Sequence, residues 1–168
     1  MNIPICREIM IDVTNYCNLS CPLCPNGKIR KKEKIAHKNM SFETFQNFAC
    51  GLKTIPELFV FGNKCEPLLN KSVFEMIKLV NSKNASFTLM FTNFNLIDTF
   101  SIDDIFNSGI KQFIIGLDGI DRNSYTQYRK GGDFDRVLNS IRKIQEYKKN
   151  NNLQFPILSI MFIVFKHN

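Results

Sequence analysis

Apolar residues recur along this chain with two alternating periods. Arg7 to Val13 is a short β-prone run carrying Met10, Ile11 and Val13. From Ser41 the spacing turns helical, with Phe42, Phe45, Phe48, Ala49 and Leu52 on one face. Leu58 to Gly62 reads as a buried strand, and Asn70 to Asn81 as a helix striped by Val73, Met76, Ile77 and Val80. Ser86 to Thr92 is the next strand. Ser101 to Asn107 is a short helix closed by Gly109. Gln112 to Asp118 is a strand, and Asp121 to Lys130 a helix broken by Gly131-Gly132. Phe134, Val137, Leu138, Ile141 and Ile144 then mark a longer helix, and Pro156 to Phe165 a last strand.

Strands and helices thus alternate through the chain, which predicts parallel βα units in one α/β domain, either an open doubly wound sheet or a barrel. The strands are near-continuous apolar runs, as expected when both faces are covered. In such folds the site lies at the C-terminal strand ends. The unusual residues fall there: Cys17 to Cys24, Gly62 to Pro67, Thr92-Asn93 and Asp118-Gly119. No internal repeat, linker or low-complexity segment divides the 168 residues.

Composition narrows the class. At 44% hydrophobic residues the chain is not a disordered one. No run approaches the roughly 18–20 apolar residues of a membrane span, and the N-terminus meets Arg7 and Glu8 too early for a signal peptide. The expected compartment is therefore the cytoplasm, where clustered thiols bind metal more often than they pair. The net charge is +7, and the densest basic run is Lys28 to Lys34. That charge suits an anionic partner such as a phosphorylated substrate. No aromatic residue interleaves with the run, which argues against nucleic acid and for a solvated loop.

Cys17, Cys21 and Cys24 stand within eight residues, directly behind the first strand. They suit a disulfide framework, a zinc site or an iron–sulfur cluster. Zinc needs a fourth ligand, for which Cys6, Cys50, Cys65, His37 and His167 are candidates. A [4Fe–4S] cluster held by three cysteines leaves one iron open, an arrangement suited to chemistry.

The spacing C-x3-C-x2-C, here Cys17-Asn-Leu-Ser-Cys21-Pro-Leu-Cys24, resembles the signature of the radical S-adenosylmethionine (radical SAM) superfamily. Other stretches resemble that family in the same order. FGNKCEPLLN, Phe61 to Asn70, resembles its GGEP turn, with Lys64-Cys65 in place of Gly-Gly. FTNFNLI, Phe91 to Ile97, resembles T-N-G-x-L. IIGLDG, Ile114 to Gly119, resembles I-S-[LI]-D-G, with Gly116 where many members have a Ser that meets the SAM carboxylate. Ser124 to Ile144 and Phe162 to Asn168 resemble segments of the peptide- and protein-modifying, SPASM-like branch.

The resemblance implies a partial (β/α)6 TIM-like barrel with five βα units present and the sixth strand missing, so that residues 1–168 form an incomplete radical SAM core domain. It implies a [4Fe–4S] cluster on Cys17, Cys21 and Cys24, and SAM as second cofactor, cleaved reductively to a 5′-deoxyadenosyl radical. The turn with Gly62, Cys65, Glu66 and Pro67 would hold the SAM amino group. Thr92 and Asn93 would line the pocket near the ribose, and Asp118 would line it beside strand four. Arg129 would approach the SAM carboxylate, and Leu23 would pack on the adenine. The implied partners are a flavodoxin- or ferredoxin-like electron donor and a peptide or protein substrate. Two further readings stand beside this one: a degenerate member that binds the cluster without turnover, and a zinc-binding structural module. The apolar last strand would leave an open edge suited to self-association.

Overall fold

The computed structural model describes residues 7–26, 36–54 and 56–168; the basic run Lys28 to Lys34 and Cys6 lie outside the described residues. Five strands run β1 Glu8–Ile11, β2 Leu58–Phe61, β3 Phe87–Thr92, β4 Gln112–Gly116 and β5 Ile157–Met161. Between them lie α1 Phe42–Gly51, α2 Val73–Ser82, α3 Ile102–Asn107, α4 Arg122–Tyr128 and α5 Phe134–Asn150, with single 3₁₀ turns at Pro67–Leu69 and Ile97–Thr99.

All neighbouring strands are parallel, and the sheet order is β1-β2-β3-β4-β5. That order decides between the two α/β architectures. A doubly wound sheet reverses its strand order at a switch point; this sheet never does, so it is the sequential sheet of a partial TIM-like barrel.

Alternation sorts the strand residues into two faces. Ile9, Ile11, Phe59, Phe61, Met90, Phe113, Ile115 and Leu158 pack with the helices in the core, around Phe45, Met76, Ile77, Val137 and Ile144. Met10, Val60 and Leu89 share the other face by register. Short polar residues start the helices: Ser41, Ser101 and Asp133 each accept an amide from the first turn.

Three strands are shorter than their apolar runs predict. β1 stops at Ile11 because Asp12 is taken up by the turn after β2. β4 stops at Gly116, and Asp118 turns the backbone to φ +50°. β5 stops at Met161 because its last ladder bond is Leu117 N–H to Met161 O, and the next tie, Ile163 N–H, goes to the Asp118 side chain. Cys50 and Met161, core positions by pattern, are exposed, Met161 because β5 pairs with β4 alone. Ile160 on β5 is 48% exposed.

Asn70 joins the first strand end to the first helix. Its Nδ2 donates to Val13 O (2.8 Å) and Met40 O (2.9 Å), and its Oδ1 accepts Ser72 N–H (3.0 Å). Asn70→Ala leaves Met40 O without its donor, at roughly 1–3 kcal/mol, removes one of the two donors to Val13 O, the other being Met40 N–H, and frees Ser72 N–H. Denaturant unfolding should show a loss of about 2 kcal/mol or more, with an unchanged m-value; a loss below about 0.5 kcal/mol would remove Asn70 from this role.

Candidate active site

The cysteine loop is shaped by bonds to distant segments. Thr14 Oγ1 donates to Lys38 O (3.2 Å) and accepts Tyr16 N–H (3.3 Å). Tyr16 O accepts Glu66 N–H (2.8 Å), and Ser20 N–H reaches Lys130 O (2.9 Å). Within the loop, Leu19 N–H points to Cys17 Sγ (3.4 Å) and Cys24 N–H bonds Cys21 O (3.2 Å). All three cysteines are free thiols, with Cys21 buried and the others half-buried. Burial pushes the Cys17 thiol up to about 11. It pushes Cys21 up as well, against the lowering effect of the Arg129 guanidinium beside it.

Among the described residues no three His, Cys, Asp or Glu side chains converge on one ion. Tetrahedral zinc would gather its thiolates around a single atom. A cubane places each thiolate on a different iron, so three separate thiols in one loop fit it. The cluster's irons would also supply the positive charge that these buried sulfurs lack as thiolates.

The turn after β2 begins at Gly62, whose φ of +82° favours glycine. A Cβ there would lie 2.5 Å from Pro67 Cγ and 2.9 Å from Phe91 O. Asp12 organises the rest. Its Oδ1 accepts Asn63 N–H (2.8 Å), Lys64 N–H (3.2 Å) and the Cys65 thiol (3.0 Å). Burial and the Asp12 carboxylate hold that thiol strongly protonated. Cys65 thus belongs to the turn, not to the triplet.

Glu66 is wholly buried, and its carboxylate points inward. Oε1 accepts Leu68 N–H (3.2 Å) and the Thr92 hydroxyl (2.7 Å), and Oε2 accepts Asn93 N–H (2.7 Å). The carboxylate thus ties the turn after β2 to the end of β3. Asn93 carries the chain of contacts to the cysteine loop: its Nδ2 bonds Asn18 Oδ1 (2.9 Å) and lies 3.7 Å from Cys17 Sγ. Phe94 follows at φ +63°, where the resembled motif has glycine. Its ring is fully buried against Phe113, with centroids 5.3 Å apart. Packing therefore holds a side chain in a backbone region that bulky residues rarely adopt.

At the end of β4, Asp118 is completely buried. Its Oδ1 accepts Ile163 N–H (2.6 Å), its backbone O accepts Asn168 Nδ2 (3.0 Å), and its Oδ2 pairs with Arg129 Nη2 at 2.5 Å, an ion pair without hydrogen-bond alignment. The Arg129 guanidinium lies over Gly116. Leu23 is 63% exposed and packs on nothing extensive.

The structure thus links Cys17, Asn93, Thr92 and Glu66 in one chain of contacts, and Cys21, Arg129, Asp118 and Gly116 in another. Gly62 and Cys65 stand together around Asp12. Sequence reasoning missed Asp12, Asn95 and Asn168. Asn95 Nδ2 bonds Tyr125 Oη (2.8 Å) and its Oδ1 accepts Asp133 N–H (2.6 Å), while Asn168 Nδ2 also bonds Ile163 O (2.9 Å). The available signal was their position: polar residues just beyond strand ends.

A sequential parallel sheet with a three-cysteine loop after its first strand defines a barrel protein whose cofactor chemistry sits at the strand ends. Residues 11–168 match the sequence model of the radical SAM superfamily, and the chain belongs to that family, whose members use a [4Fe–4S] cluster and SAM. A probable GTP 3′,8-cyclase of Methanocaldococcus jannaschii is 28% identical over 140 residues, covering 82% of this chain and 45% of that protein. The GTP 3′,8-cyclase of Peptoclostridium acidaminophilum is 26% identical over 140 residues, covering 82% and 42%. The chain spans less than half the length of these relatives. Among solved structures, methylornithine synthase superposes with a TM-score of 0.59 at 12% identity, covering 94% of this chain and 53% of that one. The FeFe-hydrogenase maturase HydG of Carboxydothermus hydrogenoformans superposes with a TM-score of 0.62 at 12% identity, covering 92% and 35%. These last two show the fold. The two relatives named above are GTP 3′,8-cyclases, so the peptide-modifying branch implied by the sequence gives way to the superfamily as a whole. Among the described residues no helix is long and apolar enough to cross a membrane.

Burial raises the Glu66 carboxyl to about 7, against the lowering effect of its amide and hydroxyl donors. Its folded value lies above its unfolded one, so between about pH 4.5 and 7 the folded state holds a proton that the unfolded state has lost. This group therefore makes stability fall as pH rises through that window, by roughly 3 kcal/mol at most. Glu66→Gln mimics the protonated form and should flatten that part of the stability profile. An identical pH slope in the two proteins would contradict the assignment.

Proposed function

We propose that this chain is the cluster- and SAM-binding part of a radical SAM enzyme that acts on a guanosine nucleotide, with Cys17, Cys21 and Cys24 as the cluster ligands. The observation that supports the cluster reading most directly is the triplet itself: three free thiols in one loop at a C-terminal strand end. When bound, the cluster supplies the electron that splits the sulfonium bond of SAM.

The chain's own residues bind and orient. Backbone ties from Glu66 and Lys130 hold the cysteine loop in place from two sides. SAM lies across the strand ends, beside the turn from Gly62 to Pro67 and Thr92-Asn93; Asp118, which the sequence placed in the pocket lining, is buried beneath Arg129 and does not line it. Asp12 fixes the amides of Asn63 and Lys64, so this turn is ordered before a ligand arrives. The guanosine nucleotide replaces the peptide first expected, on the strength of the two cyclase relatives. The net charge of +7 suits a polyanionic substrate. A flavodoxin- or ferredoxin-like protein serves as electron donor.

Full-length protein reconstituted without oxygen should hold about four irons per chain with cluster spectra. Cys21→Ala should lose most of that iron; a variant with the parent's iron content and spectrum, or tightly held zinc in the parent, would overturn the cluster assignment. With SAM and a one-electron reductant, GTP should be consumed as 5′-deoxyadenosine forms. Peptide-dependent formation of 5′-deoxyadenosine, with GTP untouched, would overturn the substrate.

A further inference from the structure

We propose that Arg129 is a positioning residue for the iron–sulfur cluster rather than a ligand of SAM: seated in the gap left by Gly116 and anchored by Asp118, its guanidinium donates toward the sulfur of Cys21 and makes the cluster easier to reduce. This inference rests on the cluster assignment above.

The seat is specific. A Cβ at position 116 would fall inside the guanidinium, 2.7 Å from Cζ and 3.1 Å from Nη1. Arg129 can lie across β4 only because this residue has no side chain. The anchor is rigid. Asp118 has no exposed side-chain surface and is bound on three sides: by Arg129, by Ile163 N–H and by the Asn168 side chain. The target is held in register with the guanidinium by the backbone. Ser20 N–H bonds Lys130 O at 2.9 Å, which joins the residue before Cys21 to the residue after Arg129. Gly131 lies against Asn18 and Leu19, so the end of α4 packs on the cysteine loop.

The arrangement also leaves a donor unused. The Arg129 side chain is 13% exposed, and its Nε–H is buried with no acceptor among the described residues. Buried unpaired donors are rare, and each one calls for an explanation. A thiolate bonded to iron is an acceptor of the right sign beside this guanidinium. Asp118 offsets part of the positive charge and leaves the N–H dipoles in place. Donors and cations at a cluster sulfur stabilise the state with more electrons, so the reduction potential rises.

The test is a redox titration of the reconstituted full-length protein, followed by electron paramagnetic resonance, together with a SAM-binding titration. A parent protein that takes up no iron refutes the cluster assignment; a loaded parent allows Arg129 to be judged separately. Arg129→Ala and Arg129→Gln should keep about four irons and titrate at a more negative potential, with Arg129→Lys between them and the parent. Gly116→Ala, which evicts the guanidinium, should shift the potential in the same direction. Gly116→Ala combined with Arg129→Ala should add nothing further, the signature of two residues acting as one unit. Should Arg129→Ala fail to load, Arg129→Lys and Gly116→Ala decide. Loaded variants with the parent's potential would overturn the proposal. If they also bind SAM more weakly, Arg129 belongs to the SAM carboxylate; if SAM affinity is unchanged too, the arginine only braces the fold.

Discussion

The buried carboxylate of Glu66 is the joint on which the strand ends depend. It takes Leu68 N–H within its own turn and the Thr92 hydroxyl and Asn93 N–H from the end of β3. Its backbone N–H holds Tyr16, the residue before the first cysteine. One residue, through its side chain and its backbone N–H together, therefore ties three strand ends to one another. Asn93 then passes that placement on to Asn18 and Cys17. A carboxylate is the group that can do this, since it accepts several donors at once and every neighbour here is a donor. The cost is desolvation, visible in the raised carboxyl pKa.

A second constraint is electrostatic. The strand ends gather Cys17, Cys21, Glu66 and Asp118, while Arg129 is the cation drawn in among them. Burial alone favours protonated thiols. Loading with metal must therefore release protons, and the loop is poised for that exchange more than for holding bare thiolates. Arg129 itself pays a desolvation penalty that Asp118 and Cys21 more than offset, so it stays charged.

How much of this was legible in the sequence depends on range. The alternating periods located the five strands and the helices α1 to α5, because burial on two faces leaves apolar runs and burial on one leaves helical stripes. Spacing alone brought out the cysteines, and the motif order pointed to Glu66, Asn93 and Asp118. Strand lengths were overestimated at β1, β4 and β5, where side chains rather than apolar content end the ladder. The roles of Asp12 and Asn70 come from partners 51 and 57 residues away, and no local pattern encodes such pairs. Phe94 was hidden for a different reason: local propensity forbids its backbone, and tertiary packing overrides the propensity.

The long reach of these ties bears on when the cysteine loop takes shape during synthesis. Cys17, Cys21 and Cys24 are made before the groups that mould their loop. Asn93 follows Cys17 by 76 residues, and Lys130, which receives Ser20, comes later still. Until β3 and α4 have been made and docked, the three thiols lie on an unshaped segment, open to adventitious metals and oxidants. The ties that shape this loop are thus completed only after β3 and α4, well after the loop itself has been made, so its final form waits for the chain.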